Sequence, residues 1–277
     1  MYGTPLAPFP QRIVCLSAET AEIAFALGAG DRVVGVTGTA TRPPEARERP
    51  RVGGFTTFRL DKILALQPDL VLAFSDLQAD VVRDLVRAGV AVLALNQRSL
   101  AGVFQAILVI GGALGREAPA RDLVADMQEE IRQIREFSSV WPDRPRVYFE
   151  EWDDPPIAGI RWVSELIEIA GGEDIFPELR GRHDASGRRV DPAEVIRRAP
   201  QVIVASWCGK RVDLDTIRRR PGWEALPAVR EGRLYAVPSD DLLAPGPSLL
   251  RGLRTLHEII QAHVAGEPFT ETAADQP

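Results

Sequence analysis

Short aliphatic runs alternate along this chain with stretches in which apolar residues recur every three or four positions, and the alternation starts at Arg12. Arg12-Ile13-Val14-Cys15-Leu16 is a continuous apolar run of strand length, and Ala21-Glu22-Ile23-Ala24-Phe25-Ala26-Leu27-Gly28 is an amphipathic stretch closed by glycine. Together they predict strand, loop and helix. Val33–Val36, Leu70–Ala73 and Ala91–Leu95 are the next predicted strands, separated by helical patterns over Leu60–Leu66 and Ala79–Ala88. Strands that are apolar throughout, rather than at every second position, imply a parallel sheet covered on both faces.

From Arg116 to Ser138 the pattern becomes one charged stretch with Leu123, Met127, Ile131 and Ile134 on a single stripe. At 1.5 Å per residue this predicts a helix about 30 Å long, broken by Trp141-Pro142-Asp143-Arg144-Pro145. A second series follows: Arg146–Glu150, Trp162–Ala170 closed by Gly171-Gly172, Val202–Ala205 and Leu234–Val237. Leu60–Leu72 and Asp191–Ile203 both pass through helix, proline stop and buried strand. This repetition predicts an α/β fold of two Rossmann-like lobes with mainly parallel sheets, joined by one long helix, with a ligand cleft between the lobes beyond the carboxyl ends of the strands. The expected boundaries are 1–115 for the first lobe, 116–140 for the connecting helix, 141–266 for the second lobe and 267–277 for a polar, frayed tail.

Composition narrows the function. The 277 residues suffice for two domains, and 45% hydrophobic with 26% charged residues is the balance of a chain that folds in water. Lys+Arg 33 against Asp+Glu 39 leaves a net charge of −6, so no global positive field exists to hold nucleic acid. Only Lys62 and Lys210 among those cations are lysines. Cys15 and Cys208 form no C-x-x-C pair, which removes a disulfide framework and a cysteine zinc site and leaves both as small buried hydrophobes. No apolar run reaches the ~18 residues of a membrane span. Met1 to Pro10 lacks a basic n-region and an apolar h-region. As written the chain reads as cytoplasmic; a trimmed or misassigned start makes it periplasmic or cell-surface.

Candidate chemistry sits in the loops after the strands. Ser17 precedes a helix, where it caps the first turn or helps that turn grip an anionic ligand edge. In Gly53-Gly54-Phe55-Thr56-Thr57-Phe58, Phe58 is placed to staple the following helix and Phe55 to meet a ligand. Glu150-Glu151-Trp152-Asp153-Asp154-Pro155-Pro156 is the densest polar-aromatic cluster, read as a solvated loop with Trp152 turned into the cleft, or else as carboxylates crowded for acid/base or metal work. Ser206-Trp207-Cys208-Gly209 ends another strand, and a nucleophilic Cys208 needs a base from His183, His257 or His263. His257 and His263 belong to a C-terminal amphipathic helix, whereas His183 is a loop histidine, either merely exposed or a ligand for a metal or haem-like centre, and three histidines and three tyrosines leave several iron-ligation schemes open. No G-x-G-x-x-G, Walker A, G-x-S-x-G or H-E-x-x-H pattern is present.

Leu16–Gly28, Leu64–Val71, Trp162–Gly172 and Pro245-Gly246-Pro247 resemble the helical-backbone class of ABC-transporter solute-binding proteins, and the resemblance runs from Arg12 to about Val264. It implies a fold whose continuous helix resists hinging and a bound ligand that is cobalamin or a related corrinoid, alternatively a ferric siderophore or haem, with no catalytic cofactor. Glu151–Pro156 and Trp162–Gly172 are similar to the cobalamin-binding branch, in which aromatic side chains from both lobes sandwich the macrocycle. Phe55 takes the first lobe's place, and Trp152, Trp162 and Trp207 take the second's. Ser17, Glu19, Thr37, Thr56, Ser75, Ser206 and Asp241 complete the expected ligand set by their strand-end positions. The resemblance also implies an acidic residue per lobe that docks on an ABC permease. Asp61 matches in the first lobe. In the second, Ala193 takes the matching place, with Glu194 one step along, about 100° round the helix, and Asp191 two before. The expected partners are thus a small molecule and a permease, and the protein is taken as a monomer. The competing reading is a cytosolic corrinoid-handling enzyme or sensor working through Glu150, Glu151, Asp153 and Cys208.

Overall fold

A computed structural model of the chain describes residues 8–269. Residues 1–7 of the segment read for a leader, and 270–277 of the expected tail, lie outside the described residues. Two compact units result: Met1–Gln128 with Pro245–Pro247, and Glu129–Ala244 with Ser248–Pro277.

The first unit contains β1 (Ile13–Cys15), α1 (Ala18–Ala26), β2 (Val33–Val36), α2 (Pro44–Arg47), α3 (Leu60–Ala65), β3 (Leu70–Phe74), α4 (Ala79–Arg87), β4 (Val92–Leu95), α5 (Leu100–Leu114) and the start of α6 (Glu117–Ser139). Its four strands are all parallel in the order β2-β1-β3-β4. The chain moves outward one way from β1 to β2 and the other way from β3 to β4, so the ends of β1 and β3 flank a topological switch point. Every residue of β3 is buried, as expected of a strand roofed on both faces. Gly35 in β2 permits the close approach of α3: a Cβ there would lie 2.4 Å from Leu66 Cδ1. The sequence pattern leaves residues 96–115 unassigned, and α5 fills them. It is apolar almost all round, with Leu108 and Val109 exposed opposite a buried Val103-Ile107-Ile110-Leu114 stripe, so no polar face marks its period.

The second unit contains the rest of α6, then β5 (Arg146–Asp153), β6 (Pro156–Ala158), α7 (Arg161–Ile169), β7 (Glu173–Asp174), α8 (Pro192–Arg198), β8 (Val202–Ala205), α9 (Leu214–Arg218), α10 (Pro227–Arg230), β9 (Leu234–Ala236), α11 (Ser239–Leu242) and α12 (Leu249–Ala265). β7, β5, β8 and β9 pair in parallel in that order, which is the first unit's order repeated. β5 and β6 pair antiparallel as a hairpin, Glu150↔Ala158 to Asp153↔Pro156, and an isolated antiparallel bridge joins Ile157 to Arg189. Residues 150–156, expected as a solvated loop, are therefore mostly strand. Tyr148 and Trp223 anchor the core under this sheet with ring centroids 5.8 Å apart, edge to face.

The internal repeat extends to single hydrogen bonds. Helices α3 and α8 each end before a proline on a left-handed residue, Gln67 at φ 47° and Ala199 at φ 45°. In each unit the arginine at the start of the first strand caps that end. Arg12 Nε donates to the carbonyls of Leu66 (3.0 Å) and Gln67 (3.1 Å). Arg146 Nε donates to those of Arg198 (3.1 Å) and Ala199 (3.1 Å). A guanidinium fork suits two adjacent orphan carbonyls at a helix C-terminus, and its charge suits the helix dipole.

Candidate functional site

In the first unit the strand-end surface is built around Gln78, which closes a single turn after β3. Its amide is almost wholly buried: Oε1 accepts from Phe74 N–H (3.0 Å), and Nε2 donates to the carbonyls of Leu16 (2.9 Å) and Phe55 (3.0 Å). One side chain thus ties the ends of β1 and β3 to the Gly53–Phe58 loop at the switch point. Phe55 is half-buried, its ring centroid 6.3 Å from that of Phe74, while Phe58 packs into the core beneath. Thr56 is exposed. Ser75 sits at φ 77°, a region non-glycine residues rarely adopt, and its Oγ accepts from Leu77 N–H (3.2 Å).

The loop after β1 is sealed. Ser17 Oγ donates to Glu19 Oε1 at 2.5 Å, Ser17 N–H to Thr20 Oγ1 at 3.3 Å, and Thr20 Oγ1 to Ser17 carbonyl at 2.9 Å. Burial pushes the Glu19 carboxyl up to about 7, against the Ser17 hydrogen bond that lowers it. Pro245-Gly246-Pro247 packs against the stem of Glu19: a Cβ on Gly246 would stand 2.9 Å from Glu19 Cβ and 3.2 Å from Glu22 Oε2. Gln97, just beyond β4, donates to Pro245 carbonyl (3.4 Å) and leaves its buried Oε1 without a partner among the described residues. Thr37 is fully buried, its Oγ1 3.4 Å from the Gly53 carbonyl.

In the second unit, side chains of adjacent strand residues point to opposite faces, so the crowded carboxylates separate. Glu150 is fully buried and its two oxygens are consumed: Arg220 Nη2 (2.9 Å) and Trp207 Nε1 (3.1 Å) donate to Oε1, and Tyr148 Oη (3.1 Å) and Arg220 Nη1 to Oε2. Burial raises the Glu150 carboxyl and Arg220 opposes the rise. Glu151 instead pairs with the buried Arg188, whose Nη1 and Nη2 donate to it at 2.5 and 2.9 Å. Each carboxylate has its own arginine, the arrangement a buried charge requires.

Of the three expected indoles, Trp152 keeps partial exposure, its Nε1 donating to Asp154 carbonyl at 3.0 Å. Trp162 is withdrawn into the core, 3% exposed, with Nε1 on the Leu242 carbonyl (2.8 Å). Trp207, also 3% exposed, packs in the core cluster on Glu150. These two correct the expectation of three open aromatic walls, because α7 turns Trp162 inward and the Glu150 network holds Trp207 down. Ser206 is fully buried, its Oγ unpartnered among the described residues. Asp241 is buried with Arg251 Nε at 3.2 Å.

Cys15 is buried as expected and its thiol pushed up to about 12 by that burial. Cys208 is exposed, contrary to its expected burial. Desolvation first, then Glu151 and Asp240, raise its thiol, the opposite of what activates a nucleophile. His257 stacks on Trp141 with centroids 5.1 Å apart, and His263 contacts Arg233. His183 is exposed, and the described residues hold no group of three metal-ligating side chains. Asp61 on α3 is exposed and takes Arg59 at 2.8 Å, and Glu194 on α8 takes Arg197 (2.8 Å) and Arg198 (2.6 Å). Gln78, Gln97, Arg188, Lys210 and Arg220 are site residues the sequence reading misses. Each acts through partners 23 to 148 positions away, which no local pattern reports.

Residues 13–240 match the periplasmic binding protein family. The uncharacterized ABC transporter substrate-binding lipoprotein YvrC of Bacillus subtilis is 30% identical over 260 residues, covering 91% of this chain and 80% of its own. A vitamin B12-binding protein of Vibrio parahaemolyticus is 27% identical over 257 residues, covering 91% and 87%. Among solved structures, the periplasmic heme-binding protein RhuT from Roseiflexus sp. RS-1 superposes with a TM-score of 0.79 at 28% identity, covering 92% of this chain and 99% of that one. No described helix is long and apolar enough to cross a membrane.

Proposed function

The chain belongs to the periplasmic binding protein family, and on that premise we propose that it binds a planar tetrapyrrole-class cofactor, cobalamin or a related corrinoid, outside the cytoplasmic membrane and delivers it to an ABC permease without altering it. The observation that carries the ligand class is Trp152, a partly open indole at the carboxyl end of a sheet strand. Within the first unit, the half-buried Phe55 ring at the strand ends is a stacking face of the same kind. Large flat ligands gain most from such faces, with a few polar groups fixing their rims. The likeness to a vitamin B12-binding protein supports the corrinoid. The carboxylates that an enzyme would use are closed on Arg220 and Arg188, which supports binding over catalysis. Asp61 and Glu194 are the proposed permease contacts; each pairs with arginine at the solvent boundary, where screened ion pairs are weak and one guanidinium readily replaces another.

Haem is the second reading, favoured by the likeness to RhuT. Iron needs a protein ligand, and Tyr148, His257 and His263 are engaged with Glu150, Trp141 and Arg233. That reading therefore draws on the exposed His183 or the half-buried Tyr235. Mixing the protein with cobalamin, cobinamide or haemin, desalting, and reading the absorbance of the protein fraction separates the two. A co-eluting corrin band that weakens about tenfold or more in affinity with Trp152→Ala supports the corrinoid. A haem Soret band that shifts in His183→Ala or in Tyr235→Phe supports haem, and absence of any pigment defeats both.

A further inference from the structure

Lys210 is one of only two lysines in the chain, and it stands at the strand ends of the second unit beside Trp152. Its Nζ lies 4.2 Å from the Trp152 ring centroid and 4.8 Å from that of Trp207, and it donates to Asp153 Oδ1 at 2.5 Å. Both indoles are tethered. Trp152 Nε1 is held by the Asp154 carbonyl and Trp207 Nε1 by Glu150, itself fixed by Arg220. The lysine is held at its tip alone, by Asp153 and the ring faces; 38% of its side chain is exposed, and its four-carbon stem is flexible. In this cluster it is the part that can move.

We propose that Lys210 masks the open face of Trp152 in the free protein and that a planar ligand must displace it, which makes this lysine a determinant of ligand charge. This rests on the flat-cofactor reading above. Attraction of an ammonium to two indoles, added to a partly screened ion pair, opposes stacking by about tenfold in affinity. A ligand with a carboxylate or phosphate on its rim takes over the ammonium as it leaves Asp153 and recovers that factor. A ligand with no anionic rim must displace it unaided. Lys210 thus favours planar ligands with an anionic edge over those without one.

The test compares wild type with Lys210→Ala, Trp152→Phe, the double variant and Asp153→Asn. Without ligand, acrylamide quenching of tryptophan emission should rise in Lys210→Ala, rise less in Asp153→Asn, and lose most of that increment when Trp152 is also replaced, the remainder coming from Trp207. Unchanged quenching overturns the mask. With dicyanocobinamide, which carries no phosphate, Lys210→Ala should bind about tenfold tighter than wild type. With haemin, whose rim carries two carboxylates, it should gain nothing or lose affinity. Equal gains for both probes, or weaker binding of dicyanocobinamide, overturn the charge preference. If neither probe binds any form, the flat-cofactor reading fails and takes the charge preference with it, while the quenching comparison still decides the mask.

Discussion

Glu19 lies in the first turn of α1, where the helix dipole favours a negative charge, yet burial dominates and holds its carboxyl at about 7 instead of 4.5. A folded-state value above the unfolded one means that its contribution to stability is whole below pH 4.5 and is lost as pH rises through 7. The gap corresponds to about 3 kcal/mol. Glu19→Gln should accordingly raise stability by up to that amount at pH 8.5, change little at pH 4.5 and flatten the profile between, as read from urea unfolding at a series of pH values. The same residue shows how far a sequence reaches at this scale. Its place after a strand is legible; its packing against Pro245–Pro247 is not, because that segment is more than 220 positions away in the chain. Trp207 and Cys208 show the limit more sharply. Both are visible as strand-end residues, but which one turns inward depends on Glu150 offering an acceptor to the indole, and the observed answer reverses the burial expected of the thiol.

At the level of elements, the fully aliphatic strands were readable because a parallel sheet covered on both faces needs no alternation, and the proline stops at Pro68 and Pro200 marked the helix ends that the arginines cap. β6 was not readable. It is three residues long with proline at its start, and it becomes a strand only by pairing with β5. Helix packing offers a sharper check. Gly252 lets α12 pass α11 so closely that a Cβ would stand 2.3 Å from the Asp241 carbonyl oxygen and 2.5 Å from Leu242 Cδ2. Backbone cannot yield as a side-chain tip does, so the clash should outweigh the ~1 kcal/mol helix-propensity gain of alanine. Gly252→Ala is expected to lower stability by about 2 kcal/mol. Its tryptophan emission should shift as well, since Trp162 is bonded to the neighbouring Leu242 carbonyl; denaturant midpoints and emission maxima check both.

Over the whole molecule, the duplicated sheet order was legible as a repeat of helix, proline and strand, since the same handed connection yields the same order twice. The family of binding proteins was legible along most of the chain, as the match over residues 13–240 bears out. Chain-wide composition carries one more practical result. With side-chain amines confined to Lys62, exposed on α3, and Lys210, bonded to Asp153 beside two indoles, an acylating reagent meets one open target and one shielded one. Lys62 then serves as an internal standard for footprinting, and mass spectrometry of Asp153→Asn should show Lys210 modified faster relative to Lys62 than in the native protein. A chain so poor in lysine thereby carries its own chemical gauge of whether the indole is covered.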